Sequence, residues 1–241
     1  KEPQLQNVIA TSLSSKGYKP LENKEKSEIG DITLALKYQA LKNDIVAVAV
    51  TPKVVLPTGR AADIDNLVDV PSGDGQWDLG LGTSAEVFLN SNLTAVVAAG
   101  YTMQLADHTA KRIPTPTGEV LSSDVDSSAS RDLGDIATMS LAAKYRVAEL
   151  YTLGAALGAQ FKQEDHYKGG AFDSYRYDYL NVGTEQHMET AQVGVNFSTI
   201  PLFRAKKFPV PLETGVNFTQ VLSGRNVKIS NLAAFEMAMF F

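Results

Sequence analysis

Over most of the chain apolar and polar residues alternate with a period of two. This is the pattern of a strand whose faces meet different surroundings. From Gly30 to Leu41, Ile32, Leu34, Leu36, Tyr38 and Ala40 share one face; Asp31, Thr33, Lys37 and Gln39 share the other. The polar turn Lys42-Asn43-Asp44 leads into a segment where Val46, Val48, Val50, Val54 and Leu56 oppose Ala47, Ala49, Thr51 and Lys53. The alternation returns over Gln76–Leu89, Leu93–Leu105, Asp135–Tyr145 and Leu150–Lys162. It continues over Thr184–Thr199, Pro209–Leu222 and Val227–Phe241, which completes nine predicted strands. A weakly patterned tenth is expected from Gln4 to Ser14, with Lys16–Ile29 as a loop after it.

The connections alternate as well. Short turns fall at 42–44, 90–91 and 147–149, with a slightly longer one at 200–208; long polar stretches lie at 57–75, 106–133 and 163–183. The stretch 106–133 holds Pro114, Pro116, Gly118 and a run from Ser122 to Ser130, and is expected to be mobile. A soluble β-sandwich or lipocalin-like barrel also alternates, but its apolar face points inward. Three features favour a membrane barrel. The segments commonly run 11 to 14 residues, whereas a tilted strand crosses a bilayer in about 9–11 and soluble strands average about 5–6. The polar face is rich in Gly, Ser, Thr and Gln, which suits a wet lumen. Short turns at one end and long loops at the other match an outer-membrane barrel. The expectation is a single domain over 1–241: an all-β, transmembrane, antiparallel up-and-down β-barrel of ten strands, with twelve as the alternative. Residues 1–29 would supply a first strand or an inward plug, then a loop. Aromatic residues such as Tyr38, Trp77, Tyr101, Tyr151 and Phe161 fall on the apolar faces, many near strand ends where girdles form.

Composition removes several classes. Lys and Arg total 22 and Asp and Glu 27, a net charge of −5, which argues against nucleic acid as partner. With no Cys there is no disulfide framework, thiolate metal site or Cys nucleophile. No apolar run is long enough for a spanning helix. The first residues show no signal-peptide core, as a cleaved leader or a trimmed chain would leave.

The end of the chain, Phe235-Glu236-Met237-Ala238-Met239-Phe240-Phe241, resembles the terminal β-signal of Gram-negative outer-membrane proteins. That resemblance implies the outer membrane and the barrel-assembly machinery as a partner during biogenesis. A narrower resemblance rests on Lys53-Val54-Val55-Leu56-Pro57-Thr58-Gly59 followed by Gly75-Gln76-Trp77-Asp78-Leu79-Gly80-Leu81-Gly82. These segments are similar to outer-membrane proteins of the MetA-pathway-of-phenol-degradation family. The resemblance implies uptake of aromatic or other hydrophobic small molecules. Without the family, Pro57 and Gly59 read as strand punctuation, and Gly80 and Gly82 as space in a narrow lumen.

The chemistry is expected in the lumen. Its lining is read as Lys37, Lys53, Asp78, Glu86, Lys144, Gln160, Lys162, Glu213, Asn217, Lys228 and Glu236, with Gln39, Gln104 and Gln192 as polar companions. Charges of both signs would either pair and plug the barrel or form a constriction that selects solutes. Lys37, Glu86, Lys144 and Glu236 are expected toward the periplasm, and Lys53, Asp78, Lys162 and Lys228 toward the outside. No catalytic or metal site is assigned. Glu185, His187 and Glu189 share the lipid-facing parity, and alternate spacing on a strand is a weak metal signal. Lys111 and Arg112 read as solvated loop charges. No cofactor is implied. The expected function is an outer-membrane channel or transporter for small, hydrophobic or aromatic solutes. A partner-binding barrel acting through its long loops is the alternative, and a rim-site enzyme a third reading. Expected partners are outer-membrane lipids, lipopolysaccharide and a small solute, with the protein a monomer by analogy with small barrels.

Overall fold

A computed structural model describes residues 2–21 and 27–240 of the chain. Ten strands form one antiparallel sheet: β1 (Ile32–Ala35), β2 (Tyr38–Lys42), β3 (Val46–Leu56), β4 (Asp78–Phe88), β5 (Leu93–Gln104), β8 (Ile136–Ala148), β9 (Tyr151–Lys162), β11 (Gln186–Ser198), β12 (Leu212–Arg225) and β13 (Asn231–Met239). Their order is β1-β3-β4-β5-β8-β9-β11-β12-β13, with β2 also pairing β3. The segments predicted from alternation all appear. β1 and β2 are one predicted strand broken at Leu36-Lys37, opposite Pro52, which has no N–H to give the ladder. They share one place in the sheet, so the order has nine places. Both β1–β2 and β13 run toward the short-turn end, and no pairing joins them among the described residues. A wholly antiparallel closure therefore takes a further strand of opposite direction between them.

The large sheet is inside out. Leu81, Leu141 and Leu157 are 53, 56 and 57 % exposed, and apolar side chains dominate the face they share. Among the described residues, only Ala49 of the buried apolar side chains belongs to this sheet; Leu13, Tyr18, Ile113, Ala129, Tyr167 and Tyr177 lie outside it. A face this apolar and this exposed is stable only against hydrocarbon. Tyr151 and Phe197, 5.2 Å apart near the short-turn end, stand where an aromatic girdle belongs. The fold is a transmembrane antiparallel β-barrel.

At the long-loop end the structure departs from the sequence reading. The stretches 106–133 and 163–183 are not open polar loops. They fold into a cap: a three-stranded sheet of β6 (Asp107–Arg112), β7 (Val125–Asp132) and β10 (His166–Lys168), ordered β10-β7-β6, with α2 (Ser174–Asn181) packed on it. Ile113, Ala129, Tyr167 and Tyr177 form its core, joined by Leu133, Phe172 and Leu180. The Tyr177 hydroxyl donates to Asp126, and Arg176 reaches Pro114 O at 2.7 Å and Asp124 at 2.5 Å.

The expected strand from Gln4 to Ser14 is instead the helix α1 (Glu2–Ser15). Pro3 opens it, and Gly17 at φ 77° closes it while Gly17 N–H and Tyr18 N–H return to Ser14 O and Leu13 O. The reading of Arg112 as a solvated loop charge also fails. Its guanidinium, 9 % exposed, donates to Ile64 O, Lys16 O, Ser122 O and Gly17 O, pairs with Asp65 at 2.6 Å and stacks over Tyr18 at 3.9 Å. One side chain thus ties the end of α1, the β3–β4 loop and the cap together. Lys111 is likewise covered, its amine 5.1 Å from the Tyr167 ring centroid; burial, then Arg131, push its pKa down. Residues 22–26 of the expected Lys16–Ile29 loop, and Phe241 of the terminal signal, lie outside the described residues.

Candidate functional site

The ladder registers arrange the inner face in rows. One row reads Ala49, Ser84, Ala98, Ser140, Gly158, Thr190; the next outward reads Thr51, Gly82, Gly100, Thr138, Gln160. Between β3 and β9 none but Gln160 is larger than Thr, while Gln39 and Met188 continue the two rows in register, so the middle of this wall is its roomy part. A cavity of about 570 Å³ opens there, and its lining includes Lys37, Lys53, Asp78, Ser140 and Gln160.

Several inner glycines have a specific task. A Cβ on Gly80 would stand 2.3 Å from Lys53 Cε, so the lysine lies flat across β4. On Gly194 it would meet Asn217 Oδ1 at 2.1 Å, and on Gly215 it would meet Asn196 Oδ1 at 2.1 Å. Each glycine leaves room for a polar side chain from the neighbouring strand. That matches the reading of Gly80 as relief of crowding.

The expected lumen residues separate by place. Glu86 and Lys144 pair at 3.0 Å on the inner face. Lys53, Asp78 and Gln160 gather at the cavity, joined by Lys37 from the β1–β2 break. Lys37 lies further from the short turns than expected: the register runs on unshifted from Ala35, facing Lys53, to Tyr38, facing Val50, which sets Lys37 at mid-height. Lys162 turns to Asp165 at the cap junction rather than across the lumen. Glu213 accepts from Ser198 Oγ at 3.4 Å, and Glu236 faces Gly215 in register. Lys228 is not on a strand: it sits in the β12–β13 connection, where register no longer sets its face. His187 stacks on Phe161 at 4.7 Å and lies 3.5 Å from Glu189, while Glu185 is held by Arg225 at 2.6 Å.

Asp78, in the cavity wall, has the most distinctive neighbours. Gln76, Asp78 and Gln104 share the inner parity; Asp78 and Gln104 face each other in register, and Gln76 is two residues before Asp78. Gln76 is 1 % exposed, and its amide nitrogen donates to Leu105 O at 3.0 Å and Asp107 Oδ1 at 3.1 Å. These bonds fix which end of the amide is oxygen. Gln76 Oε1, Asp78 Oδ1 and Gln104 Oε1 are buried with no hydrogen-bond partner among the described residues. Register neighbours and i, i+2 residues on one face lie within roughly 5–8 Å, so the three side chains start from neighbouring positions. Asp107 is held by Arg131 at 2.6 Å, and Arg131 also donates to Asp74 O at 2.9 Å, which roofs the site with the cap. Sequence reasoning missed Gln76. Its parity with Asp78 was the available signal.

An inside-out antiparallel sheet, a polar inner face, short turns at one end and a folded cap at the other define a barrel of the Gram-negative outer membrane. The chain belongs to the family described as "Putative MetA-pathway of phenol degradation", whose model matches residues 4–199. Among solved structures it is similar to the COG4313 outer membrane channel from Pseudomonas putida F1, at TM-score 0.61 and 16 % identity, over 89 % of this chain and 68 % of that one. No curated protein matches the chain.

Proposed function

We propose that the protein is an outer-membrane channel whose lumen passes small solutes, and that its preferred solutes are aromatic rings bearing a hydroxyl. The observation that carries this reading is the buried, unpaired acceptor Asp78 Oδ1 in the cavity wall, with Gln76 Oε1 and Gln104 Oε1 unpaired on its neighbours in sequence and register. A buried acceptor left unpaired costs about 1–3 kcal/mol, so a solute that donates a hydrogen bond is favoured over one that cannot. The small-residue rows below leave space for a flat ring. The family's description, which names phenol degradation, supports the aromatic class. The similarity to a solved outer membrane channel supports a channel.

The test uses two probes that share a ring and differ in the donor: phenol and its methyl ether, anisole. Each is titrated against the ion current of the reconstituted protein. Phenol is expected to block at roughly tenfold lower concentration, the effect of about 1.4 kcal/mol. The double variant Asp78→Ala, Gln104→Leu is expected to bring the two together. Equal block by both probes on the wild type would overturn the proposal, as would a preference that survives in the variant.

A further inference from the structure

The β11–β12 connection, residues 199–211, is the longest link at the short-turn end and is built rather than loose. Its short helix α3 (Ile200–Arg204) starts from Thr199, which also ties the beginning of the connection to its end. The Thr199 hydroxyl donates to Val210 O at 2.6 Å and accepts from Leu212 N–H at 2.9 Å, while Thr199 O accepts from Phe203 N–H at 2.9 Å. Lys206, at φ 59°, reverses the chain, and its N–H and that of Lys207 return to Phe203 O and Leu202 O. Phe240 N–H closes on Pro211 O at 3.0 Å, which brings the end of β13 alongside.

Two cavities meet on this platform. One, of about 670 Å³, is apolar and lined by residues such as Ile200, Phe203, Val210, Met239 and Phe240. The other, of about 630 Å³, is bordered by Arg204, Lys206 and Lys207 with Phe203 and Phe208. They share Phe203, Arg204 and Pro209, so the apolar chamber opens directly into the basic one. Residues 199–211 contain these three cations and no Asp or Glu. None of the three has an ion-pair partner among the described residues. Phe203, Phe208 and Phe240 remain 43, 40 and 46 % exposed.

The level in the membrane is set by the neighbours. Phe197 on β11 pairs with Tyr151 at the aromatic girdle, and the connection begins two residues later. Short turns lie on the periplasmic side in such barrels, so the platform stands at the headgroups of the inner leaflet. Exposed aromatics beside unpaired cations are the arrangement that holds a polypeptide at that boundary. An apolar chamber joined to a basic one has the shape of a phospholipid, chain in one and phosphate in the other.

We propose that this platform is a binding site for an anionic phospholipid of the periplasmic leaflet. Arg204, Lys206 and Lys207 take the phosphate, and the Phe203–Phe240 chamber takes an acyl chain. The proposal is independent of the solute the lumen carries. The experiment is native mass spectrometry of the folded protein in detergent, titrated with phosphatidylglycerol or phosphatidylcholine of the same chains. Phosphatidylglycerol is expected to be retained roughly a hundredfold better. The triple variant Arg204→Gln, Lys206→Gln, Lys207→Gln is expected to lose that preference, at roughly fivefold for each cation. Phe203→Ser is expected to weaken both lipids while keeping their ratio. Heat-modifiable migration of each variant shows that the barrel has folded. Equal retention of the two lipids by the wild type, or a preference unchanged in the triple variant, would overturn the proposal. So would displacement of the lipid by millimolar inorganic phosphate, since the site would then be a bare anion site.

Discussion

Glu86 Oε1 and Lys144 Nζ lie 3.0 Å apart although β5 runs between their strands. Their ladder partners on β5 are Val96 and Thr94, so the pair reaches diagonally over one strand of the inner wall. Both side chains remain between a third and a half exposed. In such a setting the pair adds only about 0–1 kcal/mol to stability, less at high salt. Its larger effect is on the field in the lumen. Glu86→Ala leaves Lys144 uncompensated and is expected to shift ion selectivity toward anions. Lys144→Ala is expected to shift it toward cations, and the double variant to return near the wild type. Reversal potentials under a salt gradient measure all three.

The lipid-facing assignment has a sharper energetic consequence. Leu141 is central in β8, faces outward and is 56 % exposed on the isolated chain. Leu141→Arg is expected to cost about 2–4 kcal/mol, the price of a cation near the bilayer midplane. Ser140→Arg, one residue away but inward, is expected to cost much less. Urea titration in lipid vesicles separates the two.

The strands were legible because each face meets a different solvent, so the period of two survives along each barrel strand between Gly30 and Met239. The break at Leu36-Lys37 was not, since its cause is Pro52 on the neighbouring strand. The cap was hidden for a related reason. Ile113, Ala129, Tyr167 and Tyr177 come from separated segments and form a core only after long-range pairing. No window of sequence holds that information. Helix α1 did leave a mark: Leu5, Val8, Ile9 and Leu13 recur at helical rather than strand spacing. Of the lumen residues, parity assigned Glu86 and Lys144 to the inner face but could not pair them, because register and strand order decide which charges meet. Lys228 was misplaced because the last predicted strand was begun at Val227, inside the connection and ahead of β13 at Asn231.

Two glycines are expected to respond oppositely to the same substitution. A Cβ on Gly134 would stand 1.9 Å from Gln163 O, a backbone atom at the junction of barrel and cap. On Gly154 it would meet nothing within 4 Å. Gly134→Ala is therefore expected to destabilise by at least about 1–3 kcal/mol, while Gly154→Ala is neutral or slightly stabilising. Thermal midpoints in one detergent compare them.

The cap is expected to loosen in acid. The Tyr177 hydroxyl, then the Ser128 N–H, hold the Asp126 carboxyl below its ordinary range. An acid whose folded pKa is depressed contributes stability above its unfolded value and loses it as pH falls through the folded one. The cap should therefore be intact at neutral pH and weaken below the ordinary carboxylate range. Near-ultraviolet circular dichroism of the buried tyrosines follows this. Tyr177→Phe is expected to remove most of the acid dependence that Asp126 supplies.

The central claim is that one face of the sheet lines a water-filled path and the other meets lipid. The chain has no cysteine, so single introduced thiols report cleanly. Ser140→Cys and Leu141→Cys are adjacent and point to opposite faces of β8. Each is reconstituted in a planar bilayer and exposed to a charged, water-soluble methanethiosulfonate while single-channel current is recorded. The account predicts that the reagent steps the current down for Ser140→Cys and leaves Leu141→Cys unchanged. A Ser140→Cys channel that never responds, or a Leu141→Cys channel that does, would contradict it.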